Sequence, residues 1–187
     1  VISFRGSESL ELYRDLWLFS YLCNGINFRD MLFLRRSNIV DGEIEFVRTK
    51  TRRAGVDQRV IRAAMLPQME KILARFEDAP GRTGDFLFPY AREGMSPEGI
   101  TMLVRREVAR CNRAMSVISR ELGLPAVTTY TARHSFATVL KREGVDITFI
   151  SECLGHSSVV VTQTYLAGFE RADRVKFASL LSEDRKI

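Results

Sequence analysis

Thr131-Ala132-Arg133-His134-Ser135-Phe136-Ala137-Thr138 puts a cation where a helix would carry its apolar side. Phe136, Ala137 and Leu140 follow Arg133 by three, four and seven positions, so Arg133 shares the apolar face of a helix predicted over about 131–143. With Thr131 as the N-cap, Arg133 falls in the first turn, where free N–H groups and the helix dipole favour an anion. An inward arginine needs a negative partner. This stretch leaves two open, a bound anion or a core carboxylate.

Downstream, helices are predicted over 146–153 and 158–166, separated by Leu154-Gly155-His156-Ser157-Ser158. Gly155 ends the first, and Ser157 or Ser158 caps the second. His156 then lies in the turn, aimed outward, with Tyr165 two turns further along. Each residue alone is uninformative, because single histidines and tyrosines usually serve packing or the surface. A last helix, 170–182, carries Val175, Ala178 and Leu181 on one side.

Upstream, a helix opens at Ser7-Glu8 (Leu10, Tyr13, Leu16, Trp17) and stops near Asn24-Gly25, followed by a short one from Asn27 to Leu34. Alternation around Ile44 and Phe46 predicts a strand from Glu43 to Thr49, paired with Gln58 to Arg62 through a basic turn at Ala54-Gly55. Pro67 starts a helix to about Glu77, and residues 79–99 form a Gly- and Pro-containing loop with the apolar run Phe86-Leu87-Phe88. A long helix from Pro97 to Leu122 shows the stripe Val104, Val108, Cys111, Met115, Ile118, Leu122. The fold class is α+β, mainly helical, with a small antiparallel hairpin or sheet.

The chain has 187 residues, 45% of them hydrophobic and 27% charged, which suits one ordinary domain. No apolar run is long enough for a transmembrane helix. The start, Val1-Ile2-Ser3-Phe4-Arg5, lacks a signal-peptide pattern and reads as a piece of a longer protein. Cys23, Cys111 and Cys153 are too dispersed for a zinc site, and they suggest a reduced, cytoplasmic protein. The net charge of +5 has an address: Arg48, Lys50, Arg52, Arg53, Arg59 and Arg62 face Asp57 alone within 48–62, and the rest of the chain sums to zero. Arginine outnumbers lysine 23 to 5, and guanidinium grips phosphate bidentately. On a strand Arg48 and Lys50 share a face; a solvated hairpin would look the same. Arg106, Arg110 and Arg113 form a row on the long helix, suited to phosphate contacts or to solvent.

Taken in order, Thr-Ala-Arg-His-Ser-Phe-Ala-Thr at 131–138, Leu-Gly-His-Ser-Ser at 154–158 and Tyr165, nine residues after His156, resemble the tyrosine recombinases of the phage integrase family. Gly25-Ile26-Asn27-Phe28-Arg29-Asp30-Met31 and Val47-Arg48-Thr49-Lys50-Thr51 look most like integrases of Bacteroides-type mobile elements. The resemblance implies one C-terminal catalytic domain over 1–187, with the N-terminal core-binding and arm-binding domains outside this chain. It implies that Tyr165 attacks a DNA phosphodiester to form a 3′-phosphotyrosine, that Arg133 and His156 are catalytic, and that Lys50 protonates the leaving 5′-hydroxyl. No metal or nucleotide cofactor is implied. The implied partners are double-stranded DNA, further copies in a homo-tetramer on paired sites, and DNA-bending accessory proteins, with no membrane.

Two positions depart from the family pattern. The slot of the first catalytic arginine holds Asn27, and the histidine expected three residues before Arg133 is Tyr130. A phosphoryl transition state needs cations on its non-bridging oxygens, and losing one such donor costs roughly 10²–10³ in rate. Arg48, sharing a strand face with Lys50, is the expected replacement. Arg29 competes, but on a helix it lies about 200° from the vacant slot. Tyr130 and His134 are candidate supporting residues, His134 as a buried orienting group; Arg52, Arg53, Arg106, Arg110 and Arg113 are candidate DNA contacts. The other functions the residues allow are a type IB topoisomerase-like nicking and resealing enzyme and a catalytically degenerate DNA-binding module.

Overall fold

Helix α1 (Glu8–Leu22) is buried on nearly all sides from Tyr13 to Ser20, and this sets the architecture. In a computed structural model that describes residues 1–49, 59–77, 84–156, 158–163, 166 and 175, α1 packs against α3 (Pro67–Glu77), α4 (Pro97–Glu121) and α5 (Thr129–Arg142). Leu16, Phe19 and Cys23 are sealed in the core with Met69, Phe88, Met115 and Ile118. Two charged residues of α1 are buried as a unit: Arg14 donates to Asp15 through Nε at 2.8 Å, and Arg75 of α3 donates to the same carboxylate. Trp17 Nε1 donates to the Thr128 carbonyl at 2.8 Å, which fixes where α5 begins against α1.

Between α1 and α3 lie α2 (Phe28–Leu32) and a three-stranded antiparallel sheet, β1 (Ile39–Val40), β2 (Glu43–Val47) and β3 (Val60–Ala64), in that order. Phe46 pairs with Ile61 and Ile44 with Ala63, so the period-two alternation buries all four on one face. Strand β3 pairs two residues further along the chain than predicted, and β1 escapes prediction because two residues carry no periodicity. After α5 the chain continues through α6 (Ile147–Cys153) and α7 (Val159–Gln163). No helix among the described residues is long and apolar enough to cross a membrane. The predicted helix 170–182 lies outside the described residues, apart from Val175.

Two predicted details change. The cap of α5 is Thr128, not Thr131: the Thr128 N–H donates to Thr131 Oγ1 at 3.1 Å and the Thr129 N–H to Asn112 Oδ1 at 2.8 Å. Arg133 therefore sits in the second turn, and the free donors of a first turn are not its anion partners. The inward residues of α4 are Leu103, Glu107, Cys111, Ala114, Met115, Ile118 and Ser119, with Leu122 exposed. A carboxylate on the core face hides that stripe and rotates the apparent one toward Val104 and Val108.

Candidate active site

Arg133 is 6% exposed, held between two chain reversals distant in sequence. Its Nη1 donates to the Gly25 carbonyl at 3.1 Å, and its Nη2 donates to the Leu154 carbonyl and lies 3.0 Å from His156 Nε2. These acceptors are neutral, so they orient the guanidinium without cancelling its charge. Gly25 makes the approach possible. It has φ +63°, and a Cβ there would lie 2.7 Å from the Arg133 Cα.

His156 departs from the expected outward aim: it is 3% exposed and turned toward Arg133. Gly155 (φ +61°) reverses the chain so tightly that an added Cβ would meet Ile61 Cδ1 of β3 at 2.4 Å. The His156 N–H then donates to the Ser151 carbonyl at 3.0 Å, and α7 returns to place Thr162 Oγ1 2.9 Å from Nδ1. Burial, followed by the charges of Arg133 and Arg48, pulls the imidazole pKa down to about 4. His156 is thus neutral at physiological pH.

Arg48 follows β2 and is half-buried, and its charge acts on the His156 ring. Arg48, Arg133, Tyr130, Asn27 and Arg29 line one cleft of about 250 Å³. Asn27 is committed elsewhere. As the N-cap of α2 its Oδ1 accepts from the Asp30 N–H at 3.0 Å, while its Nδ2 donates to the Asp30 carboxylate. Asp30 Oδ1 also accepts the Thr49 N–H at 3.1 Å, pinning the chain just past Arg48 beside α2. Because Asn27 is extended (φ −73°, ψ 153°), the helical rotation that set Arg29 on the far side does not apply, and Arg29 reaches the same cleft from an exposed position.

Tyr130 is 57% exposed at the rim, so its place is not in packing. His134 is half-exposed, contrary to the expected burial, and its ring meets Tyr130 edge-on at 4.5 Å between centroids. One turn of helix separates the two on a face that α5 leaves partly open.

Arg106, Arg110 and Arg113 are exposed along α4 but line other hollows than the cleft of Arg133. Arg106 Nε and Arg110 Nη1 donate to Glu107 Oε1 at 2.7 and 3.3 Å, and Tyr13 donates to Oε2 at 3.0 Å. Lys50, Arg52, Arg53 and Tyr165 lie outside the described residues. Sequence reasoning missed Thr162 and the capping use of Asn27. The run Asn27-Phe28-Arg29-Asp30, with its Asn and Asp three apart at a helix start, carried the second signal.

A model of the phage integrase family matches residues 24–171. A tyrosine recombinase XerA of Pyrococcus horikoshii is 30% identical over 151 residues, covering 78% of this chain and 44% of that protein. A tyrosine recombinase XerC of Rhodospirillum centenum is 31% identical over 158 residues, covering 81% of this chain and 42% of that protein. The chain thus spans less than half the length of these curated relatives. Among solved structures, XerH bound to a palindromic difH substrate, in its post-cleavage complex, matches with a TM-score of 0.67 at 19% identity, over 97% of this chain and 49% of that one. The Tn1549 transposon integrase in complex with transposon right end DNA matches with a TM-score of 0.65 at 15% identity, over 95% and 61%. These likenesses give the fold of a tyrosine recombinase catalytic domain, and the family match takes in the Gly25 segment, the basic hairpin, Arg133, His156 and Tyr165. The chain belongs to the phage integrase family.

Proposed function

We propose that residues 1–187 are the catalytic domain of a site-specific recombinase that cuts and rejoins double-stranded DNA through Tyr165. The observation that carries this reading is the buried Arg133–His156 contact beside a cleft shared with Arg48. In the proposed step the Tyr165 oxygen bonds to phosphorus as the bond to the 5′-oxygen breaks. The phenol begins with a pKa of about 10, so its proton must leave during attack. Arg133 and Arg48 take the non-bridging oxygens and Lys50 protonates the departing oxygen. Arg48 is favoured over Arg29 because its charge acts on His156. The phosphotyrosine keeps the bond energy for rejoining, so the step calls for no cofactor.

Arg52, Arg53, Arg106, Arg110 and Arg113 would hold DNA by its phosphates, with binding that weakens as salt rises. Tyr130, whose ring meets that of His134, would support the phosphate. In the full-length protein we expect DNA-clamping domains, assembly as a tetramer on paired sites with DNA-bending accessory proteins, and action on DNA in the cytoplasm. The segments Gly25-Ile26-Asn27-Phe28-Arg29-Asp30-Met31 and Val47-Arg48-Thr49-Lys50-Thr51 favour an integrase of a Bacteroides-type mobile element.

The test is a nicked suicide substrate carrying the full-length protein's own site. An SDS-stable protein–DNA adduct is expected, and Tyr165→Phe abolishes it; no adduct from the wild type overturns the reading. Arg48→Ala should lower adduct formation roughly 10²–10³-fold and Arg29→Ala far less. The reverse order moves the second cation to Arg29. Supercoil relaxation without strand exchange between two sites would indicate a topoisomerase instead.

A further inference from the structure

The two carbonyls that hold Arg133 come from separate chain reversals, and both reversals rest on neighbouring residues of β3. Leu154, whose carbonyl accepts from Nη2, is followed by Gly155, where an added Cβ would meet Ile61 Cδ1 at 2.4 Å. Gly25, whose carbonyl accepts from Nη1 at 3.1 Å, is preceded by Asn24, and Asn24 Nδ2 donates to the Arg62 carbonyl at 2.8 Å. In the strand order β1-β2-β3, β3 is an edge, so carbonyls on its outer side need partners from elsewhere in the fold. Asn24 supplies one.

Position 24 meets two demands. Its φ is +53° and Gly25 follows at +63°, so the turn takes two left-handed residues in succession. For the backbone alone, glycine would serve there as well as asparagine. The amide is what glycine lacks. It grips the Glu45–Arg62 rung of the sheet, three residues along the chain from Arg48. Asn24 itself lines a hollow beside Val60 and Phe149, whereas Gly25, Arg48 and Arg133 line the cleft.

We infer that Asn24 is a positioning residue: its amide ties the turn to β3, fixes the Gly25 carbonyl, and so orients the Arg133 guanidinium relative to the strand pair that leads to Arg48. The part of this inference that concerns cleavage rests on the recombinase reading above; the tie to the guanidinium does not. A guanidinium presents its donors in one rigid plane, so moving the carbonyl under Nη1 turns the whole fork. Asn24 acts through that carbonyl and from outside the cleft, so its removal affects the rate of the reaction and leaves the grip on DNA intact.

The experiment compares Asn24→Asp with Asn38→Asp in full-length protein. Each exchanges an amide for a carboxylate of similar size, and each removes a donor from the same rung, because Asn38 Nδ2 donates to the Glu45 carbonyl at 2.7 Å. Asn24→Gly is the third variant; it keeps the left-handed backbone and deletes the amide. In ¹⁵N-arginine-labelled protein free of DNA, the Arg133 guanidinium signals are identified by their loss in Arg133→Lys. Rotation of that group about its Nε–Cζ bond should be slow in the wild type and in Asn38→Asp, and several-fold faster in Asn24→Gly and Asn24→Asp. With the protein's own site at saturation, Asn24→Gly should lower the rate of adduct formation about 10-fold, since a misplacement of about 1 Å costs roughly 10²-fold. The DNA dissociation constant should not change. Wild-type rotation in Asn24→Gly, or equal acceleration in Asn38→Asp, overturns the inference. So does faster rotation with an unchanged rate at saturation, or a loss confined to DNA affinity. The NMR arm needs no DNA, so an absent wild-type adduct speaks against the recombinase reading alone.

Discussion

Helices α4 and α5 each bury a charged side chain, and they treat it in opposite ways. Glu107 is fully buried on α4, with Arg106 and Arg110 on one oxygen and Tyr13 on the other, so its charge is compensated inside the fold. Arg133 is nearly as buried on α5, but its described acceptors are two carbonyls and a neutral imidazole, and the further charge felt at that imidazole, Arg48, has the same sign. The first arrangement ties α4 to α1; the second sets two guanidinium groups on one cleft, where the proposed reaction puts its phosphate.

The comparison breaks most decisively at Arg133. Arg133→Ala should cut adduct formation on a suicide substrate by at least about 10²–10³-fold, with the folded state retained by circular dichroism. Glu107→Gln should do the reverse, losing about 2 kcal/mol in urea denaturation because a charge-assisted pair is gone, with the adduct rate per folded molecule unchanged. A loss of activity from Glu107→Gln beyond its loss of fold would mean that the two clusters are coupled.

Gly25 and Gly144 sharpen the contrast at smaller scale. Both have positive φ, but a Cβ at Gly144 would meet nothing within 4 Å, whereas one at Gly25 strikes the backbone of Arg133. Gly144→Ala should cost about 1–2 kcal/mol for backbone strain alone. Gly25→Ala should cost roughly 1–3 kcal/mol more through overpacking, and only it should slow cleavage. Equal denaturation midpoints for the two variants would remove Gly25 from the support of the site.

The smallest effect concerns pH. The folded pKa of His156, about 4, lies below the ordinary histidine value of 6.5, so between them the unfolded chain binds the extra proton. Stability from a neutral His156 is therefore complete above pH 6.5 and is lost as the pH falls toward 4. His156→Gln should flatten that part of the curve in thermal melts; an identical pH dependence in the variant would show that the ring is not desolvated.

The sequence made one charged residue legible and concealed the other. Arg133 shows itself because Phe136, Ala137 and Leu140 follow at helical spacing, and its meaning comes from the ordered motifs around it. Glu107 is invisible because an apolarity pattern rejects a carboxylate and selects Val108 beside it. Elements with strong periodicity or a proline start, such as α3, were readable nearly to the residue. What stayed hidden depends on backbone reversals. The positive φ of Gly155 turns His156 inward, and the extended Asn27 brings Arg29 to the cleft, and neither follows from counting positions along a helix.

The bond from Arg133 to the Gly25 carbonyl joins positions 108 residues apart. Contacts of such separation form only after a long loop closes, late in folding. A chain emerging from the ribosome through α4 already carries Gly25, Arg48 and much of the core, yet has nothing to fill the space opposite the Gly25 carbonyl. The contact between Arg133 and Gly25 therefore waits for α5 to dock against α1.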